Sequence, residues 1–231
     1  MVQHVSHLEK NLQDKIEKPL LRGWSHALGA IASVALTVTL CWLSREDGPR
    51  LWSMLIFGLS MVELYTVSAI YHIGTWQPAT RKVLRSLDHS NIFVLIAGTY
   101  TPLCFNILNG WVRIALLATI WTLALVGLAL TIFPYTLRLP RWVSTAIYIL
   151  MGWVAVLAFP AFISAASWQF ALALISGGLA YTIGAVVYAL KRPNPFPRVF
   201  GFHEIFHLFV IAGSIIFVFC VWKWALPFPR Q

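Results

Sequence analysis

Charge is what this chain has least of. Of its 231 residues only 11% are Asp, Glu, Lys or Arg, and only eight are acidic. With 59% hydrophobic residues, so few charges cannot clothe a soluble domain of this length. A water-soluble globule is therefore excluded, and a bilayer is the expected solvent. Cysteine is scarce as well: Cys41, Cys104 and Cys220 each stand alone in an apolar run. That spacing excludes a CxxC metal framework or a disulfide scaffold and leaves three small hydrophobes. A secretory signal is not expected, because Lys10, Asp14, Glu17 and Lys18 precede a first apolar run that is already long enough to span. No internal repeat marks a two-halved transporter, and no long polar linker divides the chain.

What is present is apolar sequence in lengths of about 20 residues, the span of a bilayer-crossing helix. Seven spans are expected: Trp24–Leu43, 51–73, 88–108, 111–133, 142–163, Trp168–Leu190 and 202–224. Turn and breaker residues separate them, among them Gly48-Pro49, Asn109-Gly110 and the run from Pro193 to Pro197. Nine of the eleven tryptophans (24, 42, 52, 76, 111, 142, 168, 222 and 224) fall at these limits, where an amphipathic ring prefers the interface. The expected fold is an all-α integral membrane protein with a seven-helix transmembrane bundle over 24–224. Residues 1–23 precede it and a short tail, 225–231, follows. Val5, Leu8, Leu12 and Ile16 recur at helical spacing among charges, so the first segment reads as an amphipathic helix lying on the membrane, with His4 and His7 solvated.

The basic residues set the orientation. Lys10, Lys15, Lys18, Arg22, Arg81, Lys82, Arg85, Arg138, Arg141, Lys191, Arg192 and Arg198 fall on one side; Arg45, Arg50, Arg113, Lys223 and Arg230 fall on the other. The positive-inside rule then places the N-terminus in the cytoplasm and the C-terminus outside, in a cell (inner) membrane. The formal charge of +9 is thereby explained without nucleic acid, and membrane lipids are the expected partners.

Against this background the polar outliers stand out. His72 closes the second span, Asp88 opens the third, and His203 and His207 open the seventh, all at the cytoplasmic level. His203 and His207 are four residues apart, as are Ser68 and His72, so each pair shares one helix face. Three imidazoles from two helices can meet at one point. Three neutral imidazoles suit Zn²⁺ and leave a fourth position for water, whose pKa the ion lowers towards about 7. Asp88 can then deprotonate that water or orient a ligand histidine. The competing expectation is that such groups only snorkel or pair at the interface. Because His203-Glu204-Ile205-Phe206-His207 also fits HExxH, in which the glutamate is the general base of a metalloprotease, an intramembrane protease is a further reading. Glu204 equally faces Arg198 or Lys191 of the preceding loop. Glu63, about 13 Å along the helix from His72, is a mid-membrane carboxyl that lines a cavity or bonds a hydroxyl, and His89 reads as an interface residue.

Three ordered segments, SAIYH (68–72), LDHSNIFVLIAGTYTP (87–102) and GFHEIFHLFVIAGS (201–214), closely resemble the hallmark segments of the bacterial hemolysin III family. That family is a branch of the adiponectin-receptor-like (progestin and adipoQ receptor) proteins, which are similar to alkaline ceramidases. The resemblance implies zinc held by His72, His203 and His207, with Asp88 at the water beside the metal and Ser68 near it. It implies hydrolysis of lipid amides such as ceramides in a cavity among the helices, within membrane-lipid homeostasis. For the bacterial branch the name implies a pore-forming cytolysin, and a receptor-like regulator with a structural zinc is a third reading. One departure concerns the first helix, where relatives often carry a Glu and an Asn before a histidine and this chain has Arg22 at the expected Asn. The role of His26 is accordingly open between a fourth ligand, a proton relay and a structural hydrogen bond. Neither the acyl substrate nor the oligomeric state is legible.

Overall fold

A computed structural model describes residues 19–132 and 141–229. The expected N-terminal amphipathic helix, with His4 and His7, and the linker around Arg138 lie outside the described residues. Among those described, seven helices are long and apolar enough to cross a membrane, and no strand occurs beyond an isolated bridge between Phe196 and Phe200. Helices are required here because lipid offers no hydrogen-bond partner to an open backbone.

The first span is α1 (Trp24–Leu43) and the second is α2 (Gly48–Ile73). The latter starts three residues before its expected limit, because Gly48-Pro49, read as a turn, forms its first turn. Asp47 caps it by accepting the Arg50 N–H at 3.2 Å, and Pro49, which has no N–H to lose, is at home there.

The third span departs most from expectation. Helix α3 runs Pro78–Ile107, ten residues longer at its start than the apolar pattern indicates. Its first turns carry Arg81, Lys82 and Arg85, all exposed, so they lower the hydropathy without interrupting the helix. Asp88 therefore lies in the third turn rather than at the helix start, and only residues 74–77 connect α2 to α3. Helix α3 is also the centre of the bundle: 83% of its most apolar stretch is buried, against 22% for α1.

Helix α4 (Gly110–Ile132) follows, and then the fifth span breaks where a continuous helix was expected. Helix α5 (Arg141–Trp153) passes into a 3₁₀ segment, Val154–Ala158, before α6 (Phe159–Ala165) completes the crossing. The Tyr100 hydroxyl of α3 fills the break, accepting the Ala155 N–H at 2.7 Å and donating to the Gly152 carbonyl at 2.7 Å. Such substitution by a neighbouring helix is what makes a broken span tolerable in lipid. Helix α7 (Trp168–Leu190) is the sixth span; α8 (Phe202–Cys220), continued by a π turn to Ala225, is the seventh.

Neighbours in sequence pack together through α4, α7 packs on α8, and α8 closes the ring against α1. Small residues set the close contacts: a Cβ added to Gly98 of α3 would fall 2.2 Å from the Ser60 hydroxyl of α2, so these backbones approach only because that side chain is missing. Leu28, Ile31, Val34 and Val38 of α1, with Trp24 and Trp42 at its ends, face outward, forming an apolar band with aromatic margins.

Candidate metal centre

The site is assembled from four helices at the end of the bundle where α1, α3 and α8 begin and α2 ends. Helix α2 contributes Ser68 and His72, one turn apart and both buried. Helix α8 contributes His203 and His207 from its first two turns. The His72 and His203 Nε2 atoms are 3.1 Å apart, and one ring nitrogen from each of His72, His203 and His207 lies within 4.8 Å of the other two. Two nitrogens on a tetrahedral ion with bonds of 2.0 to 2.1 Å are about 3.3 Å apart, so the cluster is of the size that one small cation needs. The donor set fits as well, because all three groups are imidazoles at low exposure. A buried ring nitrogen, Nδ1 of His207, has no hydrogen-bond partner among the described residues, so that ring is not fully engaged by protein groups.

Asp88 joins from α3, its Oδ2 lying 3.6 Å from Nε2 of His72, and Ser68 lies against the same carboxylate. Asp88 thus reaches His72 from the third turn of α3 and not from a helix start, whereas His72, His203 and His207 lie at helix ends as expected.

His26 of α1 is 2% exposed. Its ring stacks on His207, with centroids 3.7 Å apart and planes within 13°, and meets Tyr65 edge-on at 5.0 Å. By strict geometry neither of its nitrogens has a hydrogen-bond partner among the described residues, and the contacts its ring makes are with these two rings. The start of α1 approaches the end of α2 closely at Gly23, whose φ is +89° and whose added Cβ would fall 2.8 Å from Cβ of His72.

Glu204 is buried but turned away from the histidines. One carboxylate oxygen accepts the Gly201 N–H at 2.6 Å and the other pairs with the Arg22 guanidinium. The sequence expectation of Arg198 or Lys191 as its partner is corrected: both of those are exposed, and the partner arrives from the other end of the chain. Backbone bonds from Leu20 to Arg198 and from Leu21 to Val199, at 3.1 and 3.2 Å, fasten the same strap. Arg22, the residue that departed from the expected pattern, thus has a defined structural task.

A cavity of about 220 Å³ opens from this layer into the bundle. Its polar end holds His26, Ser68, Asp88, His203 and His207, while Leu95, Ile96, Val210 and Phe217 line its depth. A smaller cavity of about 40 Å³ shares Tyr100, Trp153 and Phe217 with it and extends past them. Several wall residues escaped the sequence reading. Tyr148, whose hydroxyl donates to the His89 carbonyl at 3.1 Å, and Tyr188 are aromatics within apolar helices, and Tyr100, inside the segment 87–102, was not expected to mend α5. The one available signal was the seven-residue interval between Tyr181 and Tyr188, which puts both on one face of α7. His89, expected at the interface, lies on the cavity wall. Glu63 does the reverse: it is exposed on the outer face of α2 and bonded at 3.3 Å by the Asn91 amide when that amide points its nitrogen at acceptors.

Fold and site together define a multi-pass membrane protein whose helices bring three histidines close enough to hold one metal ion. Comparison with known proteins assigns the lineage: residues 14–218 match the family model described as Haemolysin-III related, and the chain belongs to that family. It is 35% identical to Hemolysin-3 of Bacillus cereus over 215 residues, covering 92% of this chain and 94% of the relative. It is also 35% identical to the Hemolysin-3 homolog of Bacillus subtilis (strain 168) over 220 residues, covering 93% and 97%. A more distant relative, of the adiponectin-receptor-like group, is the Monocyte to macrophage differentiation factor of Homo sapiens, 24% identical over 223 residues with 90% and 84% covered.

Proposed function

We propose that the protein is a zinc-dependent hydrolase of lipid amides, ceramidase-like in chemistry, acting in membrane-lipid homeostasis. The observation that carries this is the cluster of His72, His203 and His207 with Asp88 beside it, of which His203, His207 and Asp88 line the polar end of a largely apolar cavity. His72, His203 and His207 would hold the ion. Bound there, zinc supplies a Lewis acid for a carbonyl and a nucleophile from water at neutral pH.

The remaining tasks fall to the chain. Leu95, Ile96 and Val210 bind the acyl chain and exclude bulk water, which strengthens every electrostatic contact at the reacting carbonyl. Asp88, near His72, takes the proton from the attacking water and returns it to the leaving nitrogen, so that amide and water become acid and amine. Ser68 holds that carboxylate in place. His26, stacked on His207, fixes the plane of that ring. The distribution of basic residues supports a cytoplasmic membrane with the histidine end inward.

The test is turnover by purified, zinc-loaded protein. Asp88→Asn should retain the metal and lose release of fatty acid from an amide lipid; wild-type protein that holds zinc and cleaves no such lipid refutes the proposal. A structural zinc in a receptor-like regulator is the second reading. It is favoured by the way α2 and α8 meet, through the histidines and one bond between Tyr65 and Ser214 of 2.6 Å. On that reading, chelation unfolds the bundle and no turnover is ever seen.

A further inference from the structure

The mouth of the cavity carries a charge that the hydrolase reading does not use. Arg85 is exposed and yet lines the cavity, a combination that marks where the cavity opens. Among the described lining residues it is the only Lys or Arg, as Asp88 is the only carboxylate. Arg85 precedes Asp88 by three residues on α3, which puts its Cα about 4.5 Å nearer the opening. Arg81 and Lys82 share this exposed turn but do not line the cavity. The wall is thus ordered by chemistry: apolar depth, then imidazoles and Asp88, then one guanidinium at the rim.

We propose that Arg85 is a specificity-determining residue which selects an amide amphiphile bearing an anionic group within a few bonds of the amide nitrogen, of the N-acyl amino acid type. A long acyl chain fills the depth, the amide carbonyl lies at the histidine and Asp88 level, and the carboxylate of the amine half reaches the guanidinium. Arg suits this task because its fork binds a carboxylate in two parallel hydrogen bonds and stays charged. A neutral sphingoid amide leaves Arg85 without a partner. This inference rests on the proposed hydrolase site and names its substrate class: water adds across the amide, the acyl carbon leaves as a fatty acid, and the nitrogen leaves with its proton as a free amino acid.

The experiment compares N-palmitoylglycine with N-palmitoylethanolamine, which have the same chain and amide but an anionic and a neutral head. Binding and cleavage are both measured, using the full chain, zinc-loaded, in an uncharged detergent. Wild type should bind the anionic probe about tenfold more tightly, the scale of one charge-assisted contact. Arg85→Gln should abolish the difference while leaving the neutral probe unaffected, and Arg81→Gln and Lys82→Gln should preserve it. Equal binding of the two probes by wild type, a preference that survives in Arg85→Gln, or no binding of either overturns the inference. The two readings fail separately. An Arg85-dependent preference without cleavage sinks only the hydrolase, and cleavage of both probes with no preference sinks only the role of Arg85.

Discussion

Replacing Glu204 with alanine removes two contacts at once, the cap on the Gly201 N–H and the pair with Arg22. The cap is worth about 1 kcal/mol. Breaking a fully buried pair costs about 3–5 kcal/mol, but the Arg22 side chain remains 20% exposed and keeps some water, so about 2 kcal/mol is appropriate here. Glu204→Ala should therefore destabilise the bundle by about 3 kcal/mol. Arg22→Ala strands a carboxylate that is only 3% exposed and should cost about the same. The double variant leaves no orphan charge and loses mainly the cap, so its cost should be about 1 kcal/mol, below either single variant and far from their sum of about 6 kcal/mol. Reversible unfolding in micelles measures all three. Additive losses would show that the two side chains act separately. A Glu204→Gln protein as stable as wild type that loses turnover alone would restore the glutamate to the general-base role of HExxH, and the latch would be wrong.

Three further outcomes follow from the same geometry. The His203→Ala/His207→Ala double variant should lose bound metal from about one ion per chain to near none by elemental analysis, since a single imidazole is left of the three-nitrogen set; full retention would mean that the ion sits elsewhere. Gly23→Ala should also lower metal occupancy, because its side chain must occupy both a φ of +89° and space 2.8 Å from Cβ of His72, and an unchanged metal content would show that the strap does not hold that histidine. Tyr100→Phe should destabilise by about 1–3 kcal/mol by orphaning the Ala155 N–H and the Gly152 carbonyl, which unfolding in micelles would register.

The spans were legible because lipid permits few alternatives: a run of about 20 apolar residues with Trp at its margins has to be a helix. The histidine cluster was legible for a similar reason, since a four-residue interval on a helix fixes a shared face whatever the neighbours do. The misses fall where hydropathy and conformation part company. Residues 78–87 are charged but helical, so an apolar window starts α3 too late. Residues 154–158 are apolar but not α-helical, and what allows the break is a hydroxyl on another helix, Tyr100. The Arg22–Glu204 pair joins residues 182 apart in sequence, and no local pattern announces it; the nearby Arg198 and Lys191 were the natural guesses from sequence alone and the wrong ones.

These misses bear on the site more than on the fold. Because α3 begins early, its exposed first turns carry Arg85 to the cavity mouth one helical turn from Asp88; had the helix begun at Asp88, the same arginine would stand in a loop with no fixed relation to the carboxylate. Because α5 breaks at Trp153, the wall at that depth is made by Gly152, Trp153 and Tyr100, the residues at which the larger cavity gives way to the smaller. Because Glu204 is engaged by Arg22, the turn of α8 that carries His203 is tied to the chain entering α1, and Gly23 beside it touches the turn of α2 that carries His72. One short strap thereby contacts the backbones on both sides of the histidine cluster. Protein contacts thus act on both helices that carry the three imidazoles, and holding ligands in place in this way is what a metal site of that kind requires.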